Sequence, residues 1–280
     1  GVRAISTADV RVLHSEHIAS LDSAQVAAMT TAQVSVLGTH QAVALETNDL
    51  AGLNTADIRV LSTQNVKALT TEQIVALDSV QLGALSTTQV VVMNTDQITA
   101  IDTGELRSLN TLQIAAMTSA QIAALATDQV AALTTAAARA ITSSDITGMG
   151  TDQIQALDSA QIAGMTTAQI AAMETHHIAN METNDLTGFS TASIRALSTA
   201  DVKALTTDHI ATMSSVQLGG LTSVQVQVLN TDQILAIESN DLRSLASSQI
   251  TALTSVQVAP FTSEQIQALT TAQIRAIETV

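Results

Sequence analysis

Large apolar residues recur at every eighth position from Ile5 to Ile277, and each of them is Leu, Ile, Met or Phe. Residues 5–276 therefore hold 34 octads. A second apolar residue precedes each large one by three positions, and it is Val, Ile or Leu except at Ala42 and Ala138. An i, i+3 apolar pair marks one face of a helix, whereas a strand requires alternation. The pattern predicts one very short helix per octad.

The polar residues of the octad indicate where each helix begins. The residue after the large apolar one is usually a good N-cap, such as Thr70, Asp78 or Ser86. Three residues later stands Gln in 20 octads and Asp or Glu in eight. This spacing is typical of the capping box, in which the N-cap and N3 side chains satisfy two free backbone N–H groups. The interpretation assigns a capping role to Gln73, Gln81, Gln89 and Gln169.

Charge is sorted within the octad in the way that a helix dipole favours. Acidic residues occupy only the N-cap, N2 and N3 positions, and all ten basic residues occupy N5. Negative charge at the start of a helix and positive charge near its end are both stabilising. A β-solenoid, the alternative fold, gives no reason for this sorting. The N5 residues form a predicted basic stripe that includes Arg59, Lys67, Arg107, Arg195, Lys203 and Arg243.

Position N1 is Ser or Thr in every octad, which predicts a hydroxyl ladder with a fixed partner. Our hypothesis is a hydrogen bond from each hydroxyl to a free carbonyl at the C-terminus of the preceding helix. The ladder includes Thr7, Ser15, Ser23, Thr31, Thr71 and Thr167.

The predicted fold is an all-α solenoid, because a helix of seven residues is too short to be stable alone in water. Residues 1–280 are interpreted as one continuous repeat array, and two helices per coil would give it 17 layers. Within it, 17 octads form a block (about 5–140) that recurs at 141–276. For example, Glu46-Thr47-Asn48-Asp49-Leu50 recurs as Glu182-Thr183-Asn184-Asp185-Leu186.

Composition narrows the function classes. The net charge of −15 argues against nucleic acid as a partner. No apolar run reaches the roughly 18–20 residues of a membrane span, so we expect no membrane insertion. There is no Cys, which excludes disulfides and thiolate chemistry. Both termini lie in octad register, which suggests a longer array.

Candidate chemistry is sparse. His14 and His17 are close in sequence, and His176 adjoins His177, but all six His residues occupy cap, N2 or N3 positions. We interpret them as solvated substituents of the capping turn. No phosphate-binding loop, nucleophile elbow or metalloprotease motif is present. We therefore expect no catalytic residue, no cofactor and no metal site.

The octads Leu69-Thr70-Thr71-Glu72-Gln73-Ile74-Val75-Ala76 and Met165-Thr166-Thr167-Ala168-Gln169-Ile170-Ala171-Ala172 resemble repeats of very large secreted or surface proteins of Gram-negative bacteria. The resemblance covers the whole chain and carries no catalytic residues. It implies an extracellular array that serves as an adhesin stalk, a biofilm matrix component or a fibre.

The leading functional hypothesis is a structural segment of an extracellular filament on the cell surface, self-associating end to end or laterally. The alternative is a monomeric spacer of an adhesin. An ice-binding surface is disfavoured, because Ser replaces Thr freely at N1. A ligand-binding scaffold is disfavoured, because few octads carry distinctive residues.

Overall fold

A computed structural model describes residues 1–277 of the chain. Within these residues it consists of short helices joined by brief connections, and it contains no strand. The all-α expectation with one helix per octad is confirmed, and the β-solenoid alternative is wrong. No helix in the described range is both long and apolar enough to cross a membrane.

The chain divides into two compact units, Gly1–Ile141 and Thr142–Val280. The first unit contains a 3-10 helix, Val2–Ala4, and seventeen α-helices. These helices are α1 (Thr7–Val12), α2 (Ser15–Ala19), α3 (Ser23–Ala27), α4 (Thr31–Val34), α5 (Thr39–Ala44), α6 (Thr47–Leu50), α7 (Thr55–Val60), α8 (Thr63–Ala68), α9 (Thr71–Val75), α10 (Ser79–Ala84), α11 (Thr87–Val91), α12 (Thr95–Thr99), α13 (Thr103–Leu106), α14 (Thr111–Ala116), α15 (Ser119–Ala124), α16 (Thr127–Ala132) and α17 (Thr135–Ala140).

The described part of the second unit contains seventeen α-helices as well. They are α18 (Ser143–Gly148), α19 (Thr151–Gln155), α20 (Ser159–Gly164), α21 (Thr167–Ala171), α22 (Thr175–Ala179), α23 (Thr183–Leu186), α24 (Thr191–Ala196), α25 (Thr199–Ala204), α26 (Thr207–Thr212), α27 (Ser215–Gly220), α28 (Ser223–Gln227), α29 (Thr231–Leu235), α30 (Ser239–Leu242), α31 (Ser247–Thr251), α32 (Ser255–Val258), α33 (Ser263–Ala268) and α34 (Thr271–Ile277).

Local chemistry starts and stops each helix, as α10 illustrates. The carboxylate of Asp78 accepts from the backbone N–H of Gln81 at 2.8 Å, and Gln81 Oε1 accepts from the N–H of Asp78 at 3.1 Å. At the other end, Leu85 is extended (φ −55°, ψ 135°), and so is Ser86 (φ −72°, ψ 159°). Two extended residues thus link α10 to α11, and no residue in 1–277 has a positive φ.

Both apolar positions of the octad point into the core. Ile58 and Leu61 in the first unit, and Ile194 and Leu197 in the second, are almost completely buried. Within each unit, a helix packs against the helix three octads away, as in α7 with α10 and α22 with α25. The burial of these side chains is the main apolar contribution to stability, since each contributes about 1.5–3 kcal/mol.

Contacts between helices three apart show that one turn of the coil takes at least three helices. The sequence-based suggestion of two helices per coil is therefore wrong, and so is the number of 17 layers that was calculated from it. The physical reason is the connection: two extended residues redirect the chain but do not reverse it, as a two-helix coil would require.

One glycine in each unit allows an unusually close approach between helices. Gly52 follows α6, which packs on α3, and a Cβ placed there would lie 2.5 Å from Ser23 O and 2.9 Å from Ala27 N. Gly188 holds the same position against Ser159 O and Ala163 N. These are backbone atoms that cannot move away cheaply, so a side chain at either position requires the helices to separate.

We expect Gly52→Ala to lower the free energy of unfolding by about 1–3 kcal/mol, the usual cost of overpacking. Gly148→Ala is the matched control, because Gly148 has the same place in its octad and no atom within 4 Å of a built Cβ. The control should be neutral or stabilising by about 0.5–1 kcal/mol. Thermal unfolding followed by circular dichroism measures both; equal effects would contradict the close-approach argument.

Candidate functional site

The Gln at N3 forms the dominant polar feature of both units, because its side-chain amide joins helices that are four octads apart. Gln73 Oε1 accepts from Thr70 N at 3.0 Å, while its Nε2 donates to Ala42 O at 3.0 Å and Leu45 O at 2.8 Å. The two carbonyls belong to the C-terminus of α5, and Gln73 is only 3% exposed. One buried amide thus caps the start of α9 and the end of α5.

The same arrangement repeats at the other predicted capping residues. Gln81 Nε2 donates to Leu50 O at 2.7 Å and Leu53 O at 2.8 Å, and Gln89 Nε2 donates to Ile58 O and Leu61 O at 2.8 Å each. Gln169 Oε1 accepts from Thr166 N at 2.8 Å. We call each such N3 side chain a rung. Each helix packs against the helix three octads away, and its rung binds the helix four octads away. One turn of the coil therefore contains between three and four helices.

Sequence analysis missed the inter-helix half of this interaction. It assigned Gln a local capping role, which only its Oε1 performs. The Nε2 partners lie 28 and 31 residues earlier in the chain. The persistent choice of Gln over Glu was the available signal, because only the amide supplies donors for the carbonyls of another helix.

The hydroxyl ladder does not bond as the sequence hypothesis stated. Thr7, Ser23 and Thr167 are exposed, and Ser15, Thr31 and Thr71 are half-buried. Within residues 1–277, none of these six hydroxyls donates to the preceding helix.

The N1 hydroxyls with a recorded partner on another helix bond forward along the chain. Ser15 Oγ donates to His40 O at 3.2 Å, and Thr175 Oγ1 donates to Asp201 Oδ1 at 2.8 Å. The hypothesis is wrong for these two hydroxyls, because their partners lie three octads further on and not in the preceding helix.

The basic stripe makes a second set of inter-helix bonds. Arg107 Nε donates to Ala132 O at 2.9 Å, Arg195 Nε to Gly220 O at 3.1 Å, and Arg243 Nε to Ala268 O at 2.6 Å. Each acceptor is the last residue of a helix three octads further on. A cation at a helix C-terminus is favourable, so these arginines stabilise the neighbouring turn.

Three other members of the stripe make no such bond among residues 1–277. Arg59, Lys67 and Lys203 are exposed, and no bond from them to a carbonyl is found in the described chain. Gln155, also at N5, donates its Nε2 to Asn180 O, so an uncharged side chain makes the same contact. The bond therefore depends on a donor of sufficient reach and not on charge alone.

Two of the six histidines are not solvated capping substituents, which corrects the sequence interpretation. His177 and His209 stand at N3 and are 0% and 3% exposed, whereas His17, also at N3, is exposed, as are His14, His40 and His176. Imidazole has an acceptor and a donor on opposite sides, so it substitutes for the amide of Gln. The available signal in the sequence was that these two His residues stand at N3, where most octads have Gln.

Carboxylates at the rung position are the exceptional cases, since an ionised carboxylate has no donor for a carbonyl. Asp57 is fully buried and its Oδ1 has no hydrogen-bond partner among residues 1–277. Asp185 is 8% exposed and lies near Glu182 and Asp158. Burial, together with the negative charges of Glu182 and Asp158, raises the pKa of Asp185 to about 6.

One groove beside α22 brings several titratable side chains together. A groove of 670 Å³ is lined by Glu174, Thr175, His176 and Asp201 among others, and the side chains of Glu174 and His176 pair at 3.2 Å while half exposed. No group of three His, Cys, Asp or Glu residues within 1–277 is placed to hold a metal ion. The repeated rungs, and not a pocket, are the distinctive feature of the molecule.

These features define the class of the protein as an all-α tandem repeat whose helices are joined by buried side-chain amides. Six segments match the model of the ALTTAQ repeat, and each begins at the second apolar position of an octad. The matched segments are residues 2–39, 42–79, 98–135, 138–175, 178–215 and 234–271.

They cover most of the sequence, and the chain belongs to the ALTTAQ repeat family. No curated protein matches it.

We expect Gln73→Met and Gln81→Met each to destabilise the protein by roughly 2–4 kcal/mol, because Met keeps the volume but leaves a buried N–H and two carbonyls without partners. Gln64→Met, at an exposed N2 position, is the matched control and should change little. Thermal melts together with hydrogen exchange of residues 38–45 measure the effect. A control as destabilising as Gln73→Met would contradict the rung's importance.

The raised pKa of Asp185 predicts the direction of a pH effect. The folded protein holds this proton more tightly than the unfolded chain, so the stability it contributes is fully present below pH 3.8 and is lost as the pH rises through about 6. Asp185→Asn should therefore stabilise the protein at pH 7.5, by about 1–2 kcal/mol, and should be nearly neutral at pH 3.5.

Urea unfolding at the two pH values measures the effect of Asp185→Asn, with the exposed Asp152→Asn as control. An equal effect of Asp185→Asn at both pH values would contradict the assignment.

Proposed function

We propose that this chain is a structural segment of an extracellular array that forms or extends a filament. The observation that carries the proposal is the succession of rungs, in which each buried amide joins the start of one helix to the end of another. Interactions of this kind can recur from one repeat to the next, and they commit the N3 side chain of most octads to a structural role. A stiff, extendable element is the function that such an arrangement serves best.

A non-catalytic role is supported by the way in which polar side chains are used. The rung amides are saturated by backbone partners, and the N5 arginines that contact a neighbouring turn also bind backbone. Acid–base catalysis requires a titratable group that is free to exchange a proton with a substrate. In the groove beside His176, the nearest carboxylate already pairs with the imidazole.

The extracellular location rests on two sequence features. The absence of Cys is compatible with an oxidising environment, because no thiol can form an unwanted disulfide. The octads also resemble repeats of large secreted and surface proteins of Gram-negative bacteria. From these features we infer a place on the bacterial surface or in a biofilm matrix.

Lateral association between copies is the self-interaction that the surface supports. Arg59, Lys67 and Lys203 present positive charge at N5, whereas the N-cap and N2 positions present acidic residues such as Glu46 and Asp152. Opposite charges in separate rows allow two parallel or antiparallel arrays to attract each other, and such contacts weaken with salt.

The alternative function is a monomeric spacer that holds an adhesive domain away from the cell. The net charge of −15 favours this alternative, because copies of a strongly acidic chain repel one another. Both proposals use the same rigid succession of rungs and differ only in whether copies associate.

Sedimentation velocity and cryo-electron microscopy at 20 mM and 500 mM salt should distinguish the two. The filament proposal expects long assemblies at low salt and shorter ones at high salt. The triple variant Arg59→Gln/Lys67→Gln/Lys203→Gln removes exposed positive charge and should reduce assembly. Arg195→Gln is its control, since Gln155 shows that Gln keeps the contact with a carbonyl. Monomers under all conditions would refute the filament and favour the spacer.

A further inference from the structure

Two rungs of the second unit, four octads apart and both contacting α22, are histidines. His177 on α22 accepts from Glu174 N at its Nδ1 (3.1 Å) and meets Met149 O with its Nε2 (3.0 Å). His209 on α26 accepts from Thr206 N at its Nδ1 (3.2 Å) and meets Met181 O with its Nε2 (2.8 Å). Met181 is the second residue after α22 ends at Ala179, so His209 binds the C-terminal end of the helix whose first turn contains His177.

The partners dictate the protonation state of both rings. Nδ1 faces a backbone N–H and must be unprotonated, whereas Nε2 faces a carbonyl and must carry hydrogen. The folded rung therefore requires neutral imidazole. A second proton on Nδ1 would set one N–H against another and would place a charge where the side chain is 0% or 3% exposed.

The first unit has amides at the corresponding places. Gln41 and Gln73 precede His177 and His209 by 136 residues, and both are buried rungs. Gln41 Nε2 donates to Val10 O at 2.6 Å and Leu13 O at 2.8 Å, and no proton equilibrium affects these bonds between pH 4 and 8. The chain thus contains both a titratable and a non-titratable version of the same pair.

Other ionisable groups surround the two histidines. Nearest to His177 are Glu174 and His176, of which the first favours and the second opposes a positive charge on the ring. The helices packed against α22 and α26, or joined to them by rungs, carry Asp145, Asp152, Glu182, Asp185, Asp201, Lys203, Asp208, Asp232, Glu238 and Asp241.

Two of these carboxylates, Asp185 and Asp241, take up a proton more readily than an ordinary Asp. Burial and the charge of Glu238 raise the pKa of Asp241, and burial with Glu182 and Asp158 raises that of Asp185. Their protonation stabilises the folded state at low pH. Protonation of Asp185 and Asp241 therefore opposes a loss of structure on acidification.

We propose that His177 and His209 form an acid-sensitive pair of rungs, whose protonation opens the second unit around α22 and α26 while the first unit stays closed. Burial is the largest cause that lowers the pKa of His177 from its ordinary value of 6.5. A lowered pKa means that the stability is present above pH 6.5 and is lost as the pH falls below it. The inference is independent of whether the array forms filaments.

Hydrogen–deuterium exchange of the full chain at pH 7.5 and pH 5.0, corrected for intrinsic exchange rates, tests the proposal. Protection of residues 174–181 and 206–213 should fall on the order of tenfold or more at pH 5.0, as expected for stability linked to a histidine proton. Protection of residues 38–45 and 70–77 should remain unchanged. Equal losses in both units, or none in either, would overturn the proposal.

Reciprocal substitutions make the test independent of other titrating groups. His177→Gln/His209→Gln should abolish the loss of protection at pH 5.0 in the second unit, although the nearby carboxylates remain, because Gln carries no titratable proton. Gln41→His/Gln73→His should transfer the pH effect to the first unit. Circular dichroism at pH 7.5 verifies that both variants fold. A loss of protection at pH 5.0 that persists in His177→Gln/His209→Gln would show that other groups cause it.

Discussion

The buried side-chain amide at N3 is the interaction on which the rest of the structure depends. A helix of four to seven residues leaves most of its backbone N–H and C=O groups without internal partners. Water satisfies such groups on a surface, but here they are covered by aliphatic side chains of neighbouring octads. The Gln side chain meets one donor at its own helix start and two acceptors at another helix end. The apolar core can close because these polar groups are satisfied within it.

The geometry of the coil explains why helices so short can persist. Packing joins each helix to the one three octads away, while the rungs join it to the one four octads away. An octad in the interior of either unit is therefore held by neighbours on both sides of its turn, and no single contact has to be strong. The arginines at N5 add a third connection at the same helix ends, which they reach from the opposite direction along the chain.

The sequence predicted the local features and missed the distant ones, for a physical reason. Asp78 and Gln81 lie within one octad, so their reciprocal capping follows from spacing alone. The partners of Gln81 Nε2, Leu50 and Leu53, depend on how many helices make one turn, and that number results from packing and not from any local pattern. Because the number of helices per turn does not follow from the sequence, the Ser and Thr hydroxyls were assigned a partner in the preceding helix. For the same reason, His177 was assigned a solvated role. Position N3 is buried because another helix packs over it, and the sequence pattern alone does not show which helix that is.

The glycines at 52 and 188 have a consequence for how such an array changes during evolution. Most octads are interchangeable, since any N3 Gln finds carbonyls at the same offset, and whole octads could be gained or lost with little strain. Gly52 is different, because its proximity to Ser23 O is fixed by the number of residues between them. An octad inserted within this interval would bring a larger side chain against the backbone of α3. The number of residues is thus fixed between some pairs of positions, such as Ser23 and Gly52, and free to vary elsewhere. Duplication of a long block keeps all the fixed spacings.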